Sequence, residues 1–204
     1  IALGKKDFFG AQELSLQESQ GAAAIGQIEL MTSWKSEFKK HDHQIAQILL
    51  APSDIQNKES SQNAIATLKK LLELECVPII NENDTTATDE IKFGDNDILA
   101  AKISRLIKAD HLILLSNVDG LFDKPPLNEK GLILIEEINK IDKKIRNMAG
   151  EASRLGKGGM ISKVEAASIC FKSNCNVIIT SGLKKSPIKS LNKKTKKFTL
   201  FKKI

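Results

Sequence analysis

The chain has 204 residues, of which 41% are hydrophobic and 27% are charged, and its formal net charge is +6. This length and composition predict one ordinary globular domain over residues 1–204, either undivided or in two lobes, because such a chain can bury one sizeable core. No stretch approaches the roughly 20 apolar residues of a membrane span, and the start at Ile1 lacks the order of a signal peptide, so we expect a cytoplasmic protein without membrane association.

Helices and strands are predicted to alternate along the chain. In chain order they are helix 16–40, strand 45–50, helix 60–75, strand 77–80, helix 95–109, strand 111–115, strand 132–135, helix 141–148, helix 160–173 and strand 176–180. Turn residues at Pro52–Asp54 end the first strand, Ser60 or Ser61 can cap the second helix, and Asp95 or Asn96 the third. This alternation predicts an α/β fold with a mostly parallel sheet covered by helices on both faces.

The positive charge is concentrated at one end of the sequence. Residues 183–204 contain nine lysines and no acidic residue, which leaves the rest of the chain mildly acidic. With Phe198 and Phe201, this lysine-rich end could bind phosphate backbones, or it could be a solvated tail or an edge strand protected from aggregation. Nucleic-acid binding is the less favoured reading, because arginine and stacking aromatics are sparse.

Cysteine and histidine spacing does not indicate a metal site. The three cysteines, Cys76, Cys170 and Cys175, form no C-x-x-C pair and lie in apolar or helical surroundings, which predicts buried thiols. The three histidines show no ligand spacing with cysteines or carboxylates. Trp34 and the phenylalanines are expected in the core.

A dense polar run, Asn81–Asp97, follows the apolar strand 77–80 and holds six carboxylates and three carboxamides in seventeen positions. Open α/β sheets place ligands where a strand ends and a helix begins, so this run is a candidate site. The alternative is a solvated acidic loop, since loops are commonly polar.

A glycine-rich run, Gly156–Lys163, leads into the helix at 160–173. Glycines allow successive backbone amides to point at one anion, and the helix start and Lys163 add positive charge, which is a way to hold phosphate. The run does not match the Walker pattern, and a plain tight turn is the alternative. Together, the two runs suggest phosphoryl transfer to a small polar acceptor.

Longer stretches resemble bacterial glutamate 5-kinases of the amino-acid kinase superfamily. The similar stretches are residues 21–27, 77–84, 87–97, 109–122, 158–163 and 199–201. The resemblance covers nearly the whole chain and implies a three-layer αβα sandwich around a mostly parallel sheet. It also implies transfer of the ATP γ-phosphoryl group to the side-chain carboxylate of L-glutamate, the first step of proline synthesis, with Mg²⁺ arriving on ATP and no metal held by the protein itself. A homo-oligomer is expected.

The same resemblance assigns residues to roles. Asp84 and Asn96 would hold glutamate, with Asn81 a weaker candidate, Asp97 would orient the catalytic lysines, and Lys163 would stabilise the transferring phosphoryl group. The nucleotide would be bound by Ser116, Asn117, Lys157, Gly158, Gly159, Met160, Ile161, Ser162 and Lys163.

Three departures from the family pattern matter. The chain opens without the family's first strand and glycine-rich turn, which carry a second catalytic lysine, so we expect an N-terminally truncated kinase domain that is inactive if nothing precedes it. Asn117 stands where the family usually has Asp, and Lys157 where it usually has Thr. We also expect no PUA domain, which some relatives append.

Two alternatives remain open at this stage. Another kinase of the superfamily, acting on uridylate, aspartate or acetylglutamate, would share the fold but should lack the paired motifs at 81–84 and 94–97. A noncatalytic module that binds nucleic acid through residues 184–204 is the alternative from a different class.

Overall fold

A computed structural model describes residues 2–8, 13–86, 95–124, 131–150, 159–192 and 197–203. The chain divides into two compact units, residues 1–93 and residues 94–204. A single domain over residues 1–204 stays a prediction.

The first unit contains four helices and a pair of parallel strands among its described residues. In chain order these are α1 Ala2–Phe8, α2 Leu16–Lys39, β1 Gln44–Leu50, α3 Pro52–Gln56, α4 Lys58–Glu73 and β2 Cys76–Glu82. Gln44 of β1 lies opposite Cys76 of β2, and Leu50 lies opposite Glu82. The two strands run in parallel because α4 carries the chain back to the start of the sheet.

Local sequence explains the longest helix, α2. Ser15 accepts a hydrogen bond from the Glu18 backbone N–H, and the Glu18 carboxylate accepts from the Ser15 N–H at 2.8 Å, which forms a capping box. Hydrogen bonds from the Ser15 backbone and hydroxyl also lower the pKa of Glu18. Helix α1 packs closely on α2, since a Cβ atom on Gly4 would lie 2.0 Å from the Ala22 carbonyl oxygen.

Several predictions for this unit need correction. Asn57, rather than Ser60 or Ser61, caps α4, because its side chain accepts from the Ser60 N–H at 3.0 Å. Residues 52–54 begin the short helix α3 instead of a turn, and β2 continues two residues past Ile80. Trp34 is 43% exposed, so it is not a core residue.

The second unit is built on a four-stranded sheet. Its elements are α5 Asn96–Ile107, β3 His111–Ser116, β4 Glu137–Ile138, α6 Lys143–Met148, α7 Met160–Phe171, β5 Asn176–Ser181, a 3₁₀ helix Lys189–Asn192 and β6 Thr199–Phe201. The strand order is β3-β5-β6-β4, with β6 antiparallel to β5 and the other two pairings parallel. The predicted α/β class with mostly parallel strands is confirmed.

The core of this unit lies between the sheet and its helices. Fully buried residues come from β5, β6 and α7, among them Val177, Ile179, Phe201 and Ala167. Cys170 and Cys175 are buried, Cys76 of the first unit is half-buried, and all three thiols are free, so burial is confirmed for two of them. Burial raises the pKa of the Cys170 thiol to about 12.

The C-terminal segment differs from its expected form. Strand β6 has a hydrogen-bonded neighbour on each side, so it is neither a tail nor an edge strand. Phe198 is 7% exposed and Phe201 is completely buried, which leaves neither ring available to stack on bases. The expectation that these two phenylalanines lie in the core is confirmed, and nucleic-acid binding by the lysines of this segment stays the less favoured alternative.

The strand predicted at 132–135 is also misplaced. Leu134 makes an isolated bridge to Phe122, and the strand β4 forms at Glu137–Ile138. Within the described residues, no helix is long and apolar enough to cross a membrane.

The buried β6 leads to a first testable prediction. We expect Phe201→Ala to lower the free energy of unfolding by about 3–5 kcal/mol, because it removes a completely buried ring from the sheet. Phe8→Ala is the matched control: its ring is 68% exposed, and the expected loss is below about 0.5 kcal/mol. Urea denaturation of the full native protein measures both values, and equal losses would contradict an interior position for β6.

Candidate functional site

A cavity of about 430 Å³ lies in the second unit, between the turn that follows β3 and the start of α7. Its lining residues are Ser116, Asn117, Val118, Gly120, Leu121, Phe122, Lys124, Met148, Ala149, Gly159, Met160, Ile161 and Lys163. A few polar groups among apolar walls are typical of small-molecule sites.

The turn after β3, residues 116–122, forms one wall of the cavity and is fixed at both ends. The Gly182 N–H donates to the Ser116 carbonyl oxygen at 2.7 Å, and the Leu121 N–H donates to the Thr199 hydroxyl at 2.8 Å. Gly120 cannot be replaced without movement, since a Cβ atom there would lie 2.3 Å from Thr199 Oγ1. Strand β6 therefore shapes this wall through Thr199.

The start of α7 forms the opposite wall. Gly159 is the N-cap with a φ of +95°, a backbone conformation that favours glycine, and it provides no side-chain cap for the first turn. The positive end of the helix dipole therefore lies at the cavity, and the ammonium group of Lys163, which also lines the cavity, adds a full charge.

An ion pair fixes the Lys163 ammonium. Lys163 Nζ lies 2.6 Å from Asp97 Oδ2, and the two side chains are 13% and 16% exposed, respectively. The Ser162 hydroxyl lies 3.3 Å from the same carboxylate oxygen and 3.0 Å from the Gly159 carbonyl oxygen. Asp97 itself is held at the start of α5, where its N–H donates to the capping carboxylate of Asp95 at 2.8 Å.

The Asp97–Lys163 ion pair contributes more to the position of the Lys163 ammonium than to the stability of the fold. A mostly buried ion pair loses much of its Coulombic gain to desolvation, so it contributes little net stability. The ion pair does hold the Lys163 ammonium in one place, between the Asp97 carboxylate and the cavity. An anion in the cavity would meet a preorganised positive charge, which is the arrangement that stabilises developing negative charge.

The structure brings most of the predicted nucleotide residues together. Ser116, Asn117, Gly159, Met160, Ile161 and Lys163 all line the cavity. Ser162 instead contacts Asp97, and Lys157 and Gly158 lie outside the described residues. Their roles toward a nucleotide stay predictions.

The predicted glutamate residues divide between the two units. Asn81 lies on β2, where its Nδ2 donates to Gln27 Oε1 of α2 at 3.0 Å, and Asp84 lies in the turn that follows. Asn96 is the exposed first residue of α5 in the second unit. Contact of these three residues with glutamate stays a prediction.

Several cavity residues had no predicted role. Val118, Gly120, Leu121 and Phe122 belong to a stretch already singled out by its resemblance to kinases, so their proximity to Asn117 was an available signal. Nothing in the sequence marked Met148 and Ala149 as cavity residues, because apolar residues at a helix end are usually interpreted as core residues. Within the described ranges, no group of three or more His, Cys, Asp or Glu residues could hold a metal ion.

Comparison with known proteins agrees with the motifs. A glutamate 5-kinase of Pelagibacter ubique is 45% identical over 198 residues, which are 96% of this chain and 54% of that protein. Glutamate 5-kinase 2 of Mesorhizobium japonicum is 42% identical over 193 residues, which are 94% of this chain and 68% of that protein. The resemblance to glutamate 5-kinases is confirmed, and the chain spans about half the length of the first of these relatives.

The fold also matches a solved structure. The crystal structure of UMP kinase from Ureaplasma parvum superimposes with a TM-score of 0.59 at 17% sequence identity, covering 98% of this chain and 75% of that one. At this identity, the match supports the fold alone. The pattern of the amino acid kinase family extends over residues 5–181, and the chain belongs to that family.

Proposed function

We propose that the protein transfers the γ-phosphoryl group of ATP to the side-chain carboxylate of L-glutamate, giving γ-glutamyl phosphate, the first step of proline synthesis. The observation that carries the proposal is the Lys163 ammonium, which is held by Asp97 at 2.6 Å and faces the cavity at the start of α7. The choice of glutamate as the phosphoryl acceptor is based on the relatives named glutamate 5-kinase.

The cavity suits a nucleotide. Its apolar residues offer a surface for a base, and Ser116 and Asn117 offer polar groups at the end of β3. The first turn of α7 has no side-chain cap, so its amide groups and the helix dipole would be available to the phosphates. Asn117 can both donate and accept hydrogen bonds, although it lacks the charge of the usual Asp.

The proposed reaction is a direct displacement at phosphorus. A glutamate carboxylate oxygen forms a bond to the γ-phosphorus while the bond to the β–γ bridging oxygen breaks, and ADP leaves with that electron pair. The carboxylate is ionised at neutral pH, so no general base is needed. Lys163 stabilises the charge on the moving group, and Asp97 keeps the lysine aligned.

Glutamate would be held by Asp84 and Asn96, with Asn81 as a further contact. Carboxylate and amide groups suit the ammonium of an amino acid, and the Asn81–Gln27 hydrogen bond fixes the Asn81 amide. Mg²⁺ bound to ATP would reduce the repulsion between the two anionic substrates. A cytoplasmic homo-oligomer remains our prediction for the native protein.

Trapping of the acyl phosphate tests this proposal. The full native protein, incubated with Mg-ATP, L-glutamate and hydroxylamine, is expected to give a glutamyl hydroxamate, because hydroxylamine attacks the acyl phosphate. Aspartate replaces glutamate in the control reaction and should give no hydroxamate. Absence of hydroxamate from folded protein would refute glutamate as the acceptor, and an equal yield with aspartate would refute selectivity for glutamate.

Lys163→Met tests the role of the ammonium. It should lower kcat by about a hundredfold or more, while the glutamate KM stays within a few fold, because the charge acts mainly in the transition state. Lys172→Met, at the other end of α7 on an exposed cap, is the matched control and should leave kcat unchanged. A change confined to the glutamate KM would move Lys163 from catalysis to substrate binding.

A further inference from the structure

The ammonium of Lys184 makes three short contacts. It lies 2.8 Å from Asp119 Oδ1, 3.0 Å from Thr180 Oγ1 and 2.7 Å from the Lys197 carbonyl oxygen. A lysine ammonium has three N–H donors and no acceptor, so these contacts can satisfy all of its hydrogen bonds. The Lys184 side chain is only 22% exposed, although the sequence placed it within a lysine-rich end.

The three acceptors lie on different segments. Thr180 is a completely buried residue of β5, and the exposed Lys197 precedes β6 by two residues, so both acceptors belong to the sheet or to the chain that leads directly into it. Asp119 lies in the turn after β3. Lys184 therefore ties this turn to the rigid part of the unit.

Asp119 occupies a particular position in the turn. Residues 116–118 and 120–122 line the cavity, whereas Asp119 does not, and its carboxylate faces Lys184. Hydrogen bonds from Gly182 and Leu121 fix the ends of the turn, and the Asp119–Lys184 ion pair fixes its middle. The Asp119–Lys184 ion pair thus restrains the turn at a residue that does not line the cavity.

We propose that Lys184 is a positioning residue for the nucleotide site, acting through Asp119 on the 116–122 turn. The inference rests on the proposed function in one respect, that a nucleotide occupies the cavity. A turn held in its binding conformation has less freedom to lose when the ligand binds, so the ion pair raises nucleotide affinity without touching the nucleotide.

Titration with Mg-AMP-PNP, a nonhydrolysable ATP analogue, tests the inference in the full native protein. Lys184→Met and Asp119→Asn should each raise the Kd about tenfold, and the double variant should be no worse than the worse single one, because both remove the same contact. In kinetics, the ATP KM should rise while the glutamate KM stays within about twofold.

Two controls separate positioning from general stability. Lys185→Met changes the adjacent, exposed lysine and should leave both Kd and melting temperature unchanged. Thr180→Val removes one of the two acceptors on the sheet side and leaves the Asp119 and Lys197 contacts of Lys184 in place, so it should lower the melting temperature while raising the Kd less than Lys184→Met does.

The outcomes are distinguishable. Equal Kd values for wild type and Lys184→Met, or additive effects in the double variant, would overturn the inference. A wild-type protein that binds no Mg-AMP-PNP would overturn both the nucleotide site and this inference. The expected pattern of Kd values without any glutamyl hydroxamate would support the inference and reject glutamate as the acceptor.

Discussion

The arrangement of the second unit depends on the ion pair between Asp97 and Lys163. The two residues are the second residue of α5 and the fourth of α7, and their charged atoms lie 2.6 Å apart with both side chains mostly buried. Neither charge would be tolerated there alone, since an unpaired buried charge is costly. The ion pair therefore requires the N-terminal ends of α5 and α7 to lie close together, and this places the Lys163 ammonium at the cavity.

The opposite wall of the cavity depends on the C-terminal segment. Thr199 of β6 bonds the backbone of Leu121 and leaves no space for a side chain at Gly120. Lys184 bonds Asp119 in the same turn. A segment that looks like a charged tail thus supplies both a central strand and the contacts that shape a binding loop.

Local signals predicted the regular elements well, because they depend on nearby residues. The apolar pattern at 16–40, the Asp95 cap and the apolar run at 111–115 each place an element within one or two residues of its observed bounds. Kinase-like motifs implied that Asp97 orients Lys163, but they did not indicate the long-range contacts of Thr199 and Lys184. The position of β6 and the partners of Lys184 depend on strand register and on residues far apart in sequence, which periodicity does not encode.

A crystal structure of the full native protein with Mg-AMP-PNP tests the central claim most directly, namely that Asp97 holds Lys163 at the phosphate end of a nucleotide site. We expect a terminal phosphate oxygen within about 3 Å of Lys163 Nζ, with the Asp97 contact retained and the base between residues 116–122 and the start of α7. A nucleotide bound outside this cavity, or a Lys163 ammonium that contacts no phosphate, would contradict the account.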